Sequence, residues 1–502
     1  MNYDHIVVGS GSAGTIIATR LSEDPARSVL LLEAGPDFPE LDQLPGDLAT
    51  AATVSVVDHD WGYRADAVPG RSIEYARGKV TGGCSAVNGA IALRGLPADF
   101  EEWAGLGNDA WTWDQVLPYY IRIENDQDVE GPLHGKEGPT PFVRTKHDDL
   151  VPLQKAFLDA NLDHGFDYVA DHNDPHSTGV GPIPMNRRGP LRVSTAISYL
   201  NQARHRLNLT IRPGTLVHRV LFEGTEAVGV EAEIDGQVQK VYARHVTLSA
   251  GAINTPTILL RSGVGPVAQL EELGIPVVLD RPGVGANLIE HQQITVGIIP
   301  KDGVTQLSDP DVQVITRYTA PGTEWFNSMQ LYFVSRYVPI THRPISVMSV
   351  LQKPACRGQV SLITTDPHIQ PEIFLNSYGE ESDRRIALDG VRLCWEIATS
   401  KPIAELSAGL ADSLTEKQLD DDRALLAYVK QHSATLWHPV GTCRMGVSSD
   451  DNAVVDQRFA VHGLDNLSVA DASVMPDHVS ANPNLTCFVI GERAAEWLGE
   501  KA

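Results

Sequence analysis

The amino-acid sequence predicts an α/β protein, and two observations lead to that prediction. Close to the N-terminus, an apolar run, a glycine-rich turn, a segment with helical spacing and a second apolar run follow one another. Residues of about 295–430 instead contain strand-like runs with interleaved aromatic side chains, such as "SMQLYFVSRYVPI" and "GQVSLITT". The first pattern is typical of strands that alternate with helices, and the second indicates a separate sheet.

The N-terminal segment contains a dinucleotide-binding fingerprint. "HIVV" (His5–Val8) has the composition of a buried strand, and Gly9, Gly11 and Gly14 follow it as G-x-G-x-x-G. "TIIATRLSE" then has helical spacing, and "SVLLLE" is a second strand that ends at Glu33. In such a unit the first glycine permits a tight turn, the second lets the backbone approach a pyrophosphate, and the third allows close helix–strand packing. The helix N-terminus offers free N–H groups to the phosphates, so a Rossmann-like domain is predicted.

Glu33 stands where an acid can accept hydrogen bonds from the adenosine ribose hydroxyls. An acid at this position also disfavours a ribose 2′-phosphate, which argues against NADP. The fingerprint alone does not separate NAD from FAD. Three small neighbours in the turn and at the strand end are also expected to contact the dinucleotide: Ser12, Ala13 and Ala34.

Two more glycine-rich segments and the C-terminal tail extend this pattern. Small residues in "YARGKVTGGCSAVNGAIALRG" (Tyr75–Gly95) let the backbone lie close to a planar ligand. "VTLSAGAINTPTILLRSGVGP" (Val246–Pro266) predicts a strand and then a helix that begins at Thr255-Pro256. In the tail, "LSVA" predicts a strand followed directly by Asp471, and "NPNLTCFVIGERAAEWL" predicts a long helix. We expect this closing strand and helix to return to the N-terminal domain.

Together these segments resemble the glucose–methanol–choline family of FAD-dependent oxidoreductases. The resemblance rests on "GSGSAG" (Gly9–Gly14) with Glu33, "GKVTGGCSAVNG" (Gly78–Gly89), "GAINTPTILLRSGVG" (Gly251–Gly265), "VGANLIEH" (Val284–His291), "WHPVGTCRMG" (Trp437–Gly446) and "VADASVMP…NPNLT". It implies a Rossmann-like FAD-binding domain interleaved with an α+β substrate-binding domain, in which helices back an antiparallel sheet. The resulting division assigns residues 1–150, 200–294 and 431–502 to the FAD-binding domain and residues 151–199 and 295–430 to the substrate-binding domain.

The resemblance also implies where FAD is held and how. Some members attach FAD covalently through a histidine in the loop that matches "GGCS", and Val87 occupies that position here. Valine cannot form that bond, so noncovalent FAD is expected. The further residues matched to isoalloxazine, adenine, phosphate or ribityl contacts, or to the same cofactor site, are Gly83, Asn88, Gly89, Val217, Asp471, Ala472, Asn482 and Pro483.

His438, in "LWHPVGTCRMG", is the leading candidate for a catalytic base. An alcohol O–H is a very weak acid, so a base must take its proton as a hydride leaves carbon for the flavin N5 atom. Neutral imidazole suits this task because its ordinary pKa is about 6.5, which also predicts lower activity on acidification. Pro439 biases His438 toward an extended backbone, and the resemblance implies that this histidine lies at the reactive edge of the flavin.

The family pairs this histidine with a histidine or an asparagine near the last helix. "ANPNLT" supplies Asn482 and Asn484, and Asn484 is the predicted partner. Its amide can hydrogen-bond the substrate oxygen without competing for the proton. No metal is expected at His438, because no H-x-x-H or carboxylate cluster surrounds it in the sequence. His291 is expected to support packing near the cofactor.

The substrate is less constrained than the reaction. A sugar or glycoside is the leading hypothesis, by resemblance to the shorter bacterial pyranose and glycoside oxidases, with choline or an aryl or furanic alcohol as alternatives. An FAD-containing hydroxynitrile lyase and a flavin-binding protein without catalysis are alternatives of other classes. Either O₂ or another electron acceptor is expected to reoxidise the flavin, and the sequence leaves this choice open. Six aromatic residues are candidates for the pocket wall, about half of them expected in the core: Tyr318, Trp325, Phe326, Tyr332, Phe333 and Tyr337.

Charge and cysteine usage limit the remaining possibilities. The net charge of −24 argues against a general affinity for nucleic acid or for anionic membranes, both of which need basic surfaces. Five cysteines without a CxxC pair argue against a disulfide framework or a zinc-cysteine site. With no leader or transmembrane stretch evident in the sequence, a cytoplasmic location is expected.

Overall fold

The structure is a computed structural model that describes residues 2–336, 344–411 and 414–500. Within these residues the helices, numbered α1 to α14, are Gly14–Leu21, Gly46–Ala49, Cys84–Val87, Pro97–Gly105, Trp113–Ile123, Pro152–Asp163, Asn201–Ala203, Gly251–Arg261, Val267–Glu272, Glu381–Thr399, Lys401–Leu406, Glu416–Leu419, Asp422–His432 and Asn484–Glu500. Short 3₁₀ or π turns are Leu41–Gln43, Asp109–Trp111, His147–Asp149, Ala196–Leu200 and Ala472–Val474.

The strands of the described residues are short and numerous. Numbered β1 to β24, they are Asn2–Val8, Val29–Leu32, Tyr63–Val68, Arg71–Tyr75, Glu124–Asp126, Thr140–Phe142, Gly179–Pro182, Arg187–Arg188, Leu191–Arg192, Leu209–Arg212, Thr215–Glu223, Glu226–Ile234, Gln237–Leu248, Val264–Gly265, Leu279–Asp280, Gln292–Pro300, Val314–Tyr318, Met329–Val334, Ser346–Leu351, Gln359–Ser361, Glu372–Phe374, Ser407–Leu410, Ala434–Thr435 and Leu467–Val469.

The first large sheet is the predicted Rossmann-like sheet. Its strand order is β10-β2-β1-β13-β12-β11, and β24 pairs with β13 outside this path. β1 is parallel to both β2 and β13, and β24 is parallel to β13. α1 packs over β1 and β2, and the C-terminal helix α14 packs against α1, so the core residues of both strands are buried. The predicted return of the closing strand and helix to the N-terminal domain is therefore confirmed.

One helix begins earlier than the sequence predicts. α8 begins at Gly251 rather than at Thr255, so Pro256 lies inside the helix. A proline there leaves the carbonyl of Ala252 without its helical N–H donor. The hydroxyl of Thr442 donates to this carbonyl at 2.6 Å and replaces the missing bond. The helix therefore continues through the proline.

The second large sheet belongs to the region predicted to bind substrate. Its order is β22-β16-β19-β18-β17-β7, with β23 paired to β16, and its pairs are antiparallel. The helices α6, α10 and α13 contribute to one apolar core with this sheet. The α/β class with an antiparallel, helix-backed second sheet is thus confirmed.

The two regions are closely joined. A four-stranded sheet, β20-β21-β3-β4, combines strands from residues 359–374 with strands from residues 63–75. The predicted domain boundary after residue 294 falls inside β16, which runs from Gln292 to Pro300. No described helix has the length and apolar run needed to cross a membrane.

Candidate active site

A deep cleft runs between the two large sheets. At one end it is lined by Glu33 and Val217, and at the other by Tyr332 and Met348. It passes over the glycine-rich turn after β1 and the N-terminal ends of α8 and α14. This placement beyond the carboxyl ends of parallel strands is typical of ligand sites in α/β proteins.

The glycine-rich turn has the geometry that a dinucleotide requires. Gly9 adopts φ +94°, and a Cβ there would lie 2.5 Å from the carbonyl oxygen of Ser249. A Cβ at Gly14 would lie 2.0 Å from the carbonyl oxygen of Gly9, so the helix can approach the turn only without a side chain. Gly11, in contrast, faces the open cleft. Ala13 caps α1 without a side-chain hydrogen bond, so no capping side chain separates the first turn of the helix from a phosphate.

Glu33 lies at the end of β2, buried in the wall of the cleft. One carboxylate oxygen accepts from the backbone N–H and the hydroxyl of Ser10, at 3.0 and 2.7 Å. The other accepts from the backbone N–H of Gly35 at 2.9 Å. Burial raises the pKa of Glu33, while these hydrogen bonds oppose the rise. The carboxylate is thus held rigidly beside the glycine-rich turn.

Asp471 connects the tail to the second glycine-rich segment. Its carboxylate accepts from the backbone N–H of Gly251 at 2.8 Å and from the hydroxyl of Thr255 at 2.6 Å. It also accepts from the backbone N–H of Ser473 at 2.8 Å. These bonds bring the N-terminus of α8 to the carboxyl end of β24, where Asp471 and Ala472 line the cleft.

The loop carrying His438 is held by buried polar groups. The backbone N–H of His438 donates to the Glu290 carboxylate at 2.7 and 3.0 Å, and Glu290 also accepts from the hydroxyl of Tyr75. Burial raises the pKa of Glu290 to about 7, and the Tyr75 hydrogen bond opposes that rise. Trp437 adopts φ +62°, a left-handed conformation rare for a bulky residue, and its carbonyl accepts from Arg77. The contacts therefore fix the backbone before the histidine.

A cluster of three histidines fixes the imidazole of His438. Nδ1 of His291 lies 3.0 Å from Nδ1 of His438, and Nε2 of His291 lies 3.0 Å from the carbonyl oxygen of Gln352. A carbonyl can only accept, so Nε2 of His291 carries hydrogen and Nδ1 of neutral His291 is the acceptor. His438 then donates from Nδ1, and its Nε2 atom carries the lone pair. The ring of His478 stacks on that of His291, with centroids 3.5 Å apart. Nε2 of His478 lies 2.9 Å from the carbonyl oxygen of His438.

Burial favours the neutral form of His438. It holds the pKa of His438 well below its usual range, and the nearby His478 and Arg77 lower it further. Burial likewise holds the pKa of His291 well below its usual range. An imidazole that stays neutral can accept a proton at Nε2.

Asn482, and not Asn484, is the asparagine beside His438. Nδ2 of Asn482 lies 3.3 Å from Nε2 of His438, and Oδ1 of Asn482 lies 3.0 Å from the hydroxyl of Tyr332. Asn484 is the first residue of α14, and its Oδ1 atom accepts from the hydroxyl of Ser12 at 2.8 Å. The predicted pairing of His438 with Asn484 is corrected accordingly. The helix begins after Pro483, so the two asparagines face different parts of the cleft.

Comparison with known proteins agrees with this geometry. The profile of the GMC oxidoreductase family matches residues 3–293 and, in its C-terminal part, residues 354–491. The chain belongs to the GMC oxidoreductase family. It is an FAD-dependent oxidoreductase that acts on the CH–OH group of alcohols.

Several relatives of this GMC oxidoreductase match over nearly the whole chain. A 5-(hydroxymethyl)furfural oxidase from Methylovorus sp. is 34% identical, with 98% of each chain covered. An oxygen-dependent choline dehydrogenase from Photobacterium profundum is also 34% identical, with 98% of this chain and 92% of the relative covered. Among solved structures, pyridoxine 4-oxidase from Mesorbium loti superimposes with a TM-score of 0.88 at 28% identity, with 99% of each chain covered.

The residues of this GMC oxidoreductase fit FAD. Asn484 lines the cleft, and its Nδ2 atom is buried without a hydrogen-bond partner among the described residues, as expected of a group that binds cofactor. Val87 lines the cleft at the position of the family's covalent histidine. Of the predicted site residues, Gly14 packs behind the turn, and the others line the cleft: Gly9, Gly11, Ser12, Ala13, Glu33, Ala34, Gly83, Asn88, Gly89, Val217, His438, Asp471, Ala472, Asn482, Pro483 and Asn484.

The aromatic residues predicted to line the substrate pocket do not all face the cleft. Tyr332 lines the cleft, whereas its neighbour Phe333 points to the opposite face of β18 and is buried against the helices. Tyr318 packs against the same core, and Trp325 and Phe326 are partly exposed. Tyr337 lies outside the described residues.

Sequence reasoning missed part of the active-site support in this GMC oxidoreductase. No local signal in the sequence marks His478 or Glu290, although each stands in a segment that carries the resemblance or directly beside one. His291 was expected to pack near the cofactor, and the structure shows it hydrogen-bonded to His438. Their roles depend on contacts between segments far apart in sequence, and no local spacing identifies such contacts.

Proposed function

We propose that this enzyme oxidises a small aromatic or furanic primary alcohol, with His438 as the general base and Asn482 as a hydrogen-bond donor to the alcohol oxygen. The observation that carries the proposal is the lone pair of His438 Nε2, which opens toward Asn482 beside an apolar wall. When bound, FAD supplies the hydride acceptor.

His438 removes the hydroxyl proton. The hydrogen bonds from the Gln352 carbonyl through His291 place hydrogen on Nδ1 of His438 and leave Nε2 to accept a proton. A base within hydrogen-bond reach of the alcohol contributes about 10²–10⁴-fold to such a step. His291 acts through His438 and is a positioning residue.

Asn482 orients the alcohol oxygen. Its Nδ2 atom and Nε2 of His438 are 3.3 Å apart, so both reach the same point in the cleft. An amide donates to the oxygen without taking its proton, and it supports negative charge that develops there. Tyr332 holds the other end of this amide, at 3.0 Å from Oδ1.

The wall beyond these polar groups favours an apolar substrate. Tyr332 pairs with Met348 across β18 and β19, and Val334 lies on the same face two residues along. All three line the cleft, together with further apolar side chains from other segments: Ile91, Met185, Val312 and Leu436. Such a surface suits an aromatic or furan ring, whereas a sugar needs several converging hydrogen-bonding groups. The sugar hypothesis therefore has less support than the aryl or furanic alternative.

Choline, too, has less support as the substrate than an aryl or furanic alcohol. Among the acidic residues that line the cleft, Asp311 is the closest in sequence to this apolar wall. Its carboxylate already accepts hydrogen bonds from Arg336 at 3.3 Å and from the backbone N–H of Val54 at 3.2 Å. A quaternary ammonium ion is bound best by an available anion or by an aromatic cage. The relatives named as an oxidase and an oxygen-dependent dehydrogenase support O₂ as the electron acceptor.

A panel of alcohols tests the proposal by anaerobic bleaching of bound flavin. We expect 5-(hydroxymethyl)furfural, a benzyl alcohol and pyridoxine to reduce the flavin with second-order rate constants at least about tenfold above those of choline, glucose and a methyl glycoside, because burial of an aromatic ring stabilises binding. A faster reaction with choline or a sugar would show that the proposed substrate class is wrong. Bleaching by none of them would contradict the proposed oxidation of these small alcohols.

A further inference from the structure

Two histidines and a glutamate from three separate segments meet at the end of the cleft that Val217 lines. His218 lies on β11, Glu233 lies on the neighbouring strand β12, and His368 lies in the 364–371 loop between β20 and β21. Nε2 of His218 is 3.7 Å from Oε2 of Glu233, and Nε2 of His368 is 2.9 Å from the same oxygen. One ligand atom from each residue lies within 4.8 Å of the other two.

An irregularity in the sheet accompanies this arrangement. The register between β11 and β12 shifts between Val217 and Arg219, which places His218 at the bulge. A bulge re-aims the side chain of the extra residue, and such irregularities occur often beside functional sites. Nε2 of His218 is buried, yet within the described chain it has no hydrogen-bond partner. The bulge thus brings an uncommitted nitrogen toward Glu233.

His368, the third residue of the group, is held in place by its own loop. Asp366 accepts from the backbone N–H of His368 at 2.9 Å, and the side chain of Gln370 accepts from the backbone N–H of Arg64 at 3.1 Å. The rings of His218 and His368 have centroids 6.2 Å apart and stand nearly perpendicular, at 78°. Both Nε2 atoms therefore approach one carboxylate oxygen from different directions.

We propose that His218, Glu233 and His368 bind a divalent first-row transition-metal ion such as Zn²⁺. Ligand bonds of about 2.0–2.1 Å in a tetrahedral site separate the ligand atoms by about 3.3 Å. The observed separations of 2.9 and 3.7 Å from the Glu233 oxygen lie on either side of that value. Imidazole nitrogen with one carboxylate suits Zn²⁺, Ni²⁺ or Cu²⁺ better than Mg²⁺ or Ca²⁺, which prefer oxygen ligands.

A second group of potential metal ligands among the described residues is less suited to binding a metal ion. Glu124, Asp126 and His134 also lie within reach of one another. However, Arg94 pairs with Glu124, and Arg144 pairs with Asp126 at 2.8 Å. These guanidinium groups already neutralise the carboxylates, so a cation has little to gain there. The His218 group contains one carboxylate and two imidazoles, and no arginine of the described chain pairs with Glu233. Arg261 donates instead to the backbone carbonyl of His218 at 2.8 Å.

A metal ion at this position would connect the 364–371 loop to β11 and β12. The loop and Val217 both line the cleft, at the end where the resemblance places adenine. An ion that binds only the folded chain stabilises it by an amount that grows with the logarithm of the ion concentration relative to its Kd. The expected consequence is a fold that resists unfolding better when the ion is bound.

Zinc titration of the untagged, FAD-loaded enzyme tests the proposal. After treatment with EDTA and exchange into metal-free buffer, calorimetric titration with ZnCl₂ is expected to show one saturable site. His218→Ala and His368→Ala should each weaken that site at least about tenfold, because each removes a ligand. Saturating Zn²⁺ should raise the Tm of the wild-type enzyme by about 2 °C relative to EDTA.

A second histidine–glutamate pair provides the control. His164 lies 2.9 Å from Glu396, the same separation as the His368–Glu233 pair, but no second histidine joins it in the clusters found among described residues. His164→Ala should therefore leave the zinc affinity and the Tm shift unchanged. Absence of a saturable site in the wild-type enzyme, or equal affinity in the wild-type and His218→Ala proteins, would overturn the proposal. Glu233→Gln preserves side-chain volume, so weaker zinc binding by a folded Glu233→Gln protein reflects the loss of a ligand and not the loss of folding.

Discussion

Nδ1 of His291 lies 3.0 Å from Nδ1 of His438, and the opposite nitrogen of His291 faces the carbonyl oxygen of Gln352. One backbone carbonyl therefore determines which nitrogen of His438 carries hydrogen, two hydrogen bonds away. The rings meet nearly edge to face, with an interplanar angle of 79°. The lone pair needed for proton abstraction is directed toward Asn482 as a result.

Two substitutions of His291 separate this positioning role from simple packing. In His291→Asn, Oδ1 can replace Nδ1 as the acceptor for His438, whereas His291→Leu removes the acceptor and keeps comparable bulk. We expect His291→Asn to retain anaerobic flavin reduction within about tenfold of wild type and His291→Leu to lose about 100-fold, because an unheld imidazole loses its productive tautomer. Stopped-flow reduction at saturating alcohol measures both. Equal losses in the two variants would indicate that His291 only fills space.

His438→Ala is expected to keep bound FAD and to lose flavin reduction by about 10²–10⁴-fold, the usual contribution of a general base. FAD content is read from the visible spectrum, and reduction is followed anaerobically with the best alcohol. His432→Ala is a suitable control, since His432 lies at the end of α13 and its Nδ1 atom contacts the carbonyl of Tyr428. Near-normal reduction in His438→Ala would rule out the assigned base.

Asn482→Ala and Asn484→Ala should have different effects. Asn482 contacts His438 at 3.3 Å, so its loss should lower kcat/KM for the alcohol by about 10²-fold while FAD stays bound. Asn484 contacts Ser12 in the glycine-rich turn, so its loss should raise the Kd for FAD by about tenfold with a smaller effect on reduction of the loaded enzyme. Flavin release by ultrafiltration and single-turnover reduction measure the two effects. The reverse pattern would restore the pairing predicted from sequence.

The elements that sequence predicts well are those whose signals are local. The turn from Gly9 to Gly14 lies between two apolar runs, and its spacing alone indicates the strand–turn–helix unit found in the structure. The start of α8 was predicted four residues late, because Pro256 suggested a first turn. The Thr442 hydroxyl that allows the helix to continue through this proline comes from a distant segment. Local propensity could not include it.

The contacts of the active site were predictable only in part for the same reason. His438 was identifiable because proline, glycine and a family motif surround it. Asn482 and Asn484 stand two residues apart around one proline, and their directions depend on α14 beginning at Asn484. Likewise, no recognisable motif in the sequence connects His218, Glu233 and His368. The β-bulge at His218 and the loop between β20 and β21 bring the three residues together.

FAD should leave the unfolded enzyme completely. Val87 occupies the position at which some family members carry the covalent histidine, and valine offers no nucleophilic atom. Precipitation with trichloroacetic acid is expected to leave a colourless pellet and to release FAD to the supernatant. Val87→Leu, which also lacks a nucleophile, should behave in the same way. A yellow pellet after washing would show a covalent bond elsewhere in the chain.

The pH dependence of alcohol oxidation should differ from that of an exposed histidine. An ordinary imidazole has a pKa of about 6.5, so sequence alone predicts that kcat/KM declines as the pH falls through that value. Burial, reinforced by His478 and Arg77, holds the pKa of His438 well below this range. A base with a lowered pKa remains neutral and active in more acidic solution, so the decline should begin well below pH 6.5. Measuring kcat/KM from pH 4.5 to 8.5 with the FAD content checked at each point tests this. A plateau that ends at pH 6.5 or above would mean that the acting base is a solvated group and not the buried His438.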